Sequence, residues 1–327
     1  MSLLAFWQQT AAMLAVAMVI EALIGWPDWL YARIGHPVGW IGRLITRLEI
    51  GWNRLHLPAR RRRLAGAAAA LLVIAVTLTA AALPVLLLPP GWPGVLLGGV
   101  LGWPWLAARS LDRHVAAVAD PLAAGDLTAA RRQVSRIVGR DPERLDEAGV
   151  ARAAIESLAE NTSDGVVAPL FWGLLGGLPG LAAYKAVNTL DSMIGHRTPR
   201  LDAFGWAAAR TDDLVNLLPA RFCGVWFALL SARPLAALRV MGRDARHHRS
   251  PNAGWPEGAM AGALDIRLSG PRLYADRVAD EPWINAGARD PAAADIRRAL
   301  AVYRRSMVLL WLGLLVFALW GGGGHGA

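Results

Sequence analysis

Cysteine is almost missing from this chain: Cys223 is the only one in 327 residues. That excludes an intrachain disulfide and any metal site built from several thiolates, and it leaves Cys223 as a small apolar packing residue. Lysine is as scarce. Of 34 lysines and arginines, Lys185 alone is lysine. No basic residue precedes Arg33, so the first apolar stretch lacks the charged start of a signal peptide and is read as retained. No segment alternates apolar and polar residues as a half-buried strand would, and no internal repeat recurs. Helix-turn-helix, zinc-finger and aromatic-basic patterns are absent too, which argues against a nucleic-acid partner.

What is abundant is apolar. Hydrophobic residues make up 55% of the chain before its 34 glycines are counted, beyond the usual share of soluble domains. Six stretches approach the roughly 20 apolar residues that a spanning helix needs. Those at 64–88, 91–108 and 306–324 carry no charge, and 7–25 carries only Glu21. The stretch 214–232 contains Arg221, and 165–184 is interrupted by glycines, Pro169 and Pro179. The expectation is an all-α polytopic membrane protein with about five to six membrane helices, one or two of them broken or re-entrant, plus cytoplasmic amphipathic helices. A single membrane-embedded domain over 1–320 would end in a flexible Gly-rich tail, 321–327. Asp126 should cap one of the amphipathic helices, and Asp141 with Pro142 should start another that runs to about Glu160.

The net charge of +9 is chiefly explained by arginine retained on the inner side of a bilayer. The loop 33–63, ending in Arg60 to Arg63, is therefore placed in the cytoplasm, and 109–164 and 233–305 join it. Attraction of phosphorylated substrates is the competing cause.

Three polar clusters stand out. In ENTSDGVVAPLFW, residues 160–172, a polar run opens an apolar one. Glu156, Glu160 and Asp164 follow at steps of four, so on a continuous helix their carboxylates would stack. Asn161, Thr162 and Ser163 read as the cap of a new helix, and a helix start is also an anion site. In the second cluster Lys185, Asn188 and Ser192 share one helical face beside Asp191, directly after an uncharged stretch; polar groups at membrane depth suggest function. The third, ARTDDLVNLLPAR at 209–221, offers Asp212, Asp213 and Asn216 between Arg210 and Arg221. Such oxygen donors suit Mg²⁺ that also holds phosphate. The bland alternatives are solvated helix ends and interhelical ion pairs.

The blocks HPVGWIGRLI (36–45), ESLAENTSDGVVAPLFW (156–172), GGLPGLAAYKAVNTLDSMIGHR (176–197), FGWAAARTDDLVNLLPAR (204–221) and SPNAGWPEGAMAGAL (250–264) run through nearly the whole chain. A weaker one is PRLYADRV (271–278). Together they resemble the adenosylcobinamide-phosphate synthase family, integral membrane amide-forming enzymes of late cobalamin biosynthesis; Gly39 stands where a larger residue was expected. The resemblance implies ATP-dependent joining of the free propionate of adenosylcobyric acid, a corrinoid, to aminopropanol or its phosphate, giving adenosylcobinamide or its phosphate. ATP and Mg²⁺ are then the implied cofactors, and the inner cell membrane, with the site facing the cytoplasm, the implied location. Other late-pathway membrane enzymes, or further copies of the chain, are implied as partners.

On that reading Mg²⁺ ligands come from Asp164, Asp191, Asp212 and Asp213, with Glu160 shared between metal and catalysis. Lys185, Arg197 and Arg210 would neutralise phosphate oxygens. Asn161, Ser163, Asn188 and Asn216 would orient substrate, and His36 and His196 would accept the proton of the attacking amine. The segment from Ser250 to Glu257 reads as a turn-rich loop over the substrate. From pattern alone a transporter, or a corrinoid-binding membrane protein without catalysis, fits the broken helices as well.

Overall fold

Lipid offers a backbone amide no partner, so the long uncharged runs close their hydrogen bonds internally as helices. The computed structural model describes residues 2–138, 142–273, 278–279 and 281–320, and these are mostly helical. The first part of the chain forms α1 (Leu3–Ile24), α2 (Asp28–Ile34), α3 (Pro37–Trp52), α4 (Ala59–Val85) and α5 (Trp92–Gly102). There follow α6 (Ala108–Ala123), α7 (Leu127–Val134) and α8 (Glu147–Thr162). A π turn, Ser163–Val167, leads into α9 (Ala168–Ile194). The rest comprises α10 (Trp206–Val215), α11 (Leu217–Leu230), α12 (Pro234–Asp244), α13 (Gly254–Leu264) and α14 (Ala293–Leu319). Among the described residues between α13 and α14 lie four two-residue strands: β1 (Leu268–Ser269), β2 (Arg272–Leu273), β3 (Val278–Ala279) and β4 (Trp283–Ile284). β1 pairs antiparallel with β4, and β2 with β3.

Among the described residues, four helical runs are long and apolar enough to cross a bilayer: α1, α4, α8 with α9, and α14. The α10–α11 pair, bent by 46°, would make a fifth. The expected stretch at 91–108 is shorter than it reads. α5 has 11 residues, or roughly 16 Å at the helical rise, and at Trp103–Trp105 the chain tightens into a 3-10 turn around Pro104. Asp126 caps α7 as expected, its carboxylate accepting the Ala129 amide at 2.9 Å. The next helix begins later than expected, at Glu147, capped by Asp146 through the Gly149 amide at 2.7 Å. Asp141 and the tail 321–327 lie outside the described residues.

The chain forms two compact units. The first comprises residues 1–107, 168–215 and 311–327, the second 108–167 and 216–310. In the first unit α5 lies against α1 through Gly98 and Gly99. A Cβ on either would meet Met13 at 3.0 Å or Val16 at 2.4 Å. Small residues permit that approach, which matters in lipid, where packing rather than hydrophobicity holds helices together. Ala69, Ala70 and Val73 of α4 pack with Ala186, Leu190 and Ile194 of α9, Ile41 and Ile45 of α3, and Phe204. At Gly66 the Phe204 carbonyl comes so close that a Cβ would sit 1.8 Å from its oxygen.

α9 is broken at Gly177, whose φ of 64° and ψ of −156° are non-helical. Pro179, lacking an amide proton, completes the break. A Cβ on Gly180 would lie 2.4 Å from the Trp172 carbonyl, and one on Gly173 would lie 3.4 Å from the Leu181 Cβ. Residues eight apart in a straight helix are separated by about 12 Å, so the chain folds back on itself here. The half after the break carries Lys185 to Ile194 and packs on Ala69, Ala70 and Val73 of α4.

The second unit is built on Val115 and Val118 of α6, Val134 of α7, Ile155 and Leu158 of α8, Phe227, Met260 and Tyr303. The Tyr303 hydroxyl donates to the Ala108 carbonyl at 2.8 Å, and the Trp226 indole donates to the Ser306 carbonyl at 3.2 Å. These tie α14 to the start of α6 and to α11.

Candidate functional site

The polar groups of the first unit gather where the second half of α9 ends. Lys185, Asn188 and Asp191 are half-buried, whereas Ala186, Val187, Thr189 and Leu190 between them are buried. The helical repeat thus puts one polar strip at the edge of an apolar helix. Thr189 and Ser192 return their hydroxyls to the carbonyls of Lys185 and Asn188, at 2.6 and 2.8 Å. Such back-bonding satisfies the hydroxyls within the helix, so they add no free donor to the strip.

Around this strip stand most of the residues singled out from the sequence. Asp191 lies within electrostatic reach of His196, Asp213 and Arg210. Arg210 pairs with Asp213 at 2.9 Å, one helical turn on, while Asp212 points inward and is buried. Gly195 lets the Asp191 carboxylate pass, since a Cβ there would be 1.9 Å from its oxygen. Among the described residues no three His, Cys, Asp or Glu side chains converge as a metal cage. Mg²⁺ needs none, because it is commonly held by one or two carboxylates, substrate phosphates and water; Asp191 and Asp213 fit that pattern.

His36 sits at the N-terminus of α3, edge-on to Trp26 at 4.7 Å. Its Nδ1 accepts the Val38 amide at 3.2 Å. Burial first, and the Lys185 ammonium second, lower its pKa to about 4. The imidazole is therefore neutral near pH 7 with its proton on Nε2, which suits it to donate a hydrogen bond. Serving as proton acceptor, the role expected for it, would require the capping bond to break.

A second feature of this unit is invisible in short motifs. Arg200 grips Glu49 with two bonds, Nε to Oε1 at 2.9 Å and Nη2 to Oε2 at 2.8 Å. Asn53 donates to Glu49 at 2.8 Å and to the Arg200 carbonyl at 3.0 Å, and it accepts from Arg62 at 2.9 Å. Arg62 also donates to the Arg200 carbonyl. The Arg200 bonds hold the Glu49 carboxyl below its ordinary pKa, against the opposing effect of burial. The network ties α3 and the start of α4 to the loop that bears His196 and Arg197. Arg62, read from sequence as one of four topology-setting arginines, is buried within it.

The second unit holds Glu160, Asn161, Ser163, Asp164 and Asn216. The helix does not restart at the polar run. It widens into the π turn, a deformation frequent at functional sites. Asn161 and Thr162 donate back to the carbonyls of Ser157 and Leu158, at 2.9 and 2.6 Å, and do not cap a new helix. The three carboxylates expected to stack meet different surroundings: Glu156 is buried, Glu160 exposed and Asp164 half-buried. Glu156 accepts the Ser269 amide at 2.7 Å. Ser269 has φ +58°, a left-handed conformation costly for serine.

Of the residues from Ser250 to Glu257, those up to Ala253 form turns as expected, and those from Gly254 on belong to α13. Ser250 Oγ accepts the amides of Asn252 and Ala253, at 3.3 and 3.2 Å, and launches α13 into the core. Glu257, only 1% exposed, lies 3.7 Å from His248. Arg221 stacks over Trp255 at 4.4 Å. Sequence reasoning passed over Glu257; its signal was a lone charge among the small apolar residues of GWPEGAMAGAL.

Comparison with known proteins accords with this arrangement of blocks. The family model described as "CobD/Cbib protein" matches residues 14–303. A cobalamin biosynthesis protein CobD of Rhodobacter capsulatus is 64% identical over 95% of this chain and 98% of its own length. Those of Sinorhizobium fredii and Brucella suis are 47% and 45% identical, over 91% and 93% of this chain and 93% and 95% of their own. No solved structure matches the chain. With similarity of this order over nearly the whole chain, it belongs to the CobD/Cbib family of cobalamin biosynthesis.

Proposed function

We propose that the chain is an ATP-dependent amide synthase that joins the free propionate of adenosylcobyric acid to aminopropanol or its phosphate. Condensing a carboxylate with an amine is uphill in water, so the acid must first be activated. A carboxylate oxygen attacks the γ-phosphorus of ATP and ADP leaves. The amine then attacks the acyl carbon, phosphate leaves, and a base takes the amine's surplus proton. Lys185, Arg197 and Arg210 neutralise phosphate oxygens, and Asn188 orients substrate. Mg²⁺, held by Asp191 and Asp213, would shield the nucleotide charge. His196, exposed beside Asp191, serves as proton acceptor, and the neutral His36 donates a hydrogen bond.

The observation that carries this reading is the break at Gly177. It folds the chain back on itself, so that the segment from Lys185 to Ile194 lies beside α4, the helix whose first turn carries Arg60 to Arg63. A straight crossing would have carried them to the far side, away from ATP. Two tests follow. Purified protein given adenosylcobyric acid, MgATP and each candidate amine should form one amide by mass and one ADP per amide. A carrier that moves corrinoid without consuming ATP would overturn the reading. A cysteine at Ser192, in a background with Cys223→Ser, should react with impermeant maleimide only in inside-out vesicles. Reaction from the outer face alone would reject the cytoplasmic site.

A further inference from the structure

At the same end of the first unit a pocket of about 360 Å³ is lined by Gly195, Arg197, Asp202, Trp206, Ala209 and Arg210. Small-molecule sites run from roughly 300 to 1,000 Å³. The lining is chemically specific. Arg197 forms no ion pair with any described residue, and Arg210 shares its charge with Asp213 at 2.9 Å. Two guanidiniums in one small pocket are suited to phosphate oxygens, which they bind through two parallel N–H donors. Trp206 opens α10 and leaves 49% of its surface exposed. An indole face so placed offers stacking to a planar heteroaromatic ring. Asp202 adds an acceptor for a hydroxyl or exocyclic amino group. Gly195 and Ala209 leave the room. Behind Gly195 passes the Asp191 carboxylate, a group assigned above to Mg²⁺.

An amino alcohol phosphate would use the guanidiniums and leave the indole idle. We infer that this pocket seats a nucleoside triphosphate, with its base on Trp206, its ribose or amino group at Asp202, and its phosphates on Arg197 and Arg210. The inference rests on the ligase reading and adds to it the location and chemistry of the nucleotide. The Glu49–Asn53–Arg62–Arg200 network then acts as the anchor of the pocket's loop, and Arg200 is a positioning residue.

The test uses full-length purified protein and a photoreactive ATP analogue, 8-azido-ATP. The label should map to the peptide containing Trp206 and be displaced by ATP but not by aminopropanol phosphate. Trp206→Ala and Arg197→Gln should each weaken nucleotide binding about tenfold, and Trp206→Phe should restore most of it. In the amide assay both alanine and glutamine variants should raise the KM for ATP without raising that for the amine. Labelling elsewhere, unaltered binding in both variants, or protection by aminopropanol phosphate would overturn the inference. Labelling of this pocket in a protein that forms no amide would uphold the nucleotide site and reject the ligase reading. The melting temperature of each variant, measured alongside, separates lost binding from lost folding.

Discussion

Lys185→Met should cut amide formation in membranes by roughly 10²–10³-fold, the usual cost of removing one group that stabilises developing charge. Protein level should stay normal, since methionine matches the stem of lysine and the position is half-buried within the second half of α9. The size of the effect follows from surroundings. Lys185 brings an ammonium against a neutral His36 and lies one turn before Asn188 on the polar strip, so its charge is little screened by water. Lys185→Arg keeps the charge but replaces a compact point donor with a planar fork and should recover only part of the rate. Near-normal turnover of Lys185→Met at normal abundance would remove the residue from the mechanism.

Glu49→Leu is expected to cost stability more than chemistry. Deleting the carboxylate strips Asn53 of one acceptor and leaves the buried Arg62 guanidinium without the Glu49 charge, whereas the Arg200 side chain, 55% exposed, can turn to water. The Tm in detergent should therefore fall, chiefly through the buried members of the network. The double variant Glu49→Leu, Arg200→Leu removes the Arg200 charge as well, keeps Arg62 bonded to Asn53 and the residue-200 carbonyl, and should regain part of the loss. A double variant no more stable than the single one would show that the ion pair is not the cause.

How much of this was legible beforehand depends on whether the signal was local. The long runs of α1, α4 and α14 could be read directly, since an uncharged stretch of that length has one stable form in lipid. Gly177 and Pro179 could be flagged as breakers, but the fold-back between Trp172 and Gly180 is a matter of angle, which composition does not encode. The stretch at 91–108 misled because hydropathy counts residues and not hydrogen bonds: Trp103, Pro104 and Trp105 are apolar yet end the helix. The π turn was hidden for the opposite reason, since Asn161, Thr162 and Ser163 have the chemistry of a cap whether or not a helix stops there. Among candidate site residues, those on the α9–α10 stretch were visible because helical spacing groups them. The Glu49–Arg200 pair was not, being separated by 151 positions. Its members look like ordinary loop charges until the fold brings them together.

The 11 residues of α5 bear on how the protein is made. A segment of roughly 16 Å cannot span about 30 Å of hydrocarbon, so its apolar residues can seat it part-way into the bilayer but cannot carry it across. Its seat is the surface of α1 at Met13 and Val16, which Gly98 and Gly99 meet without side chains of their own. Insertion must then be ordered, with α1 already resident and α5 recruited as a passenger on it. A chain whose first helix is delayed or swapped for a generic anchor would expose α5 to quality-control proteolysis, however intact its remaining sequence.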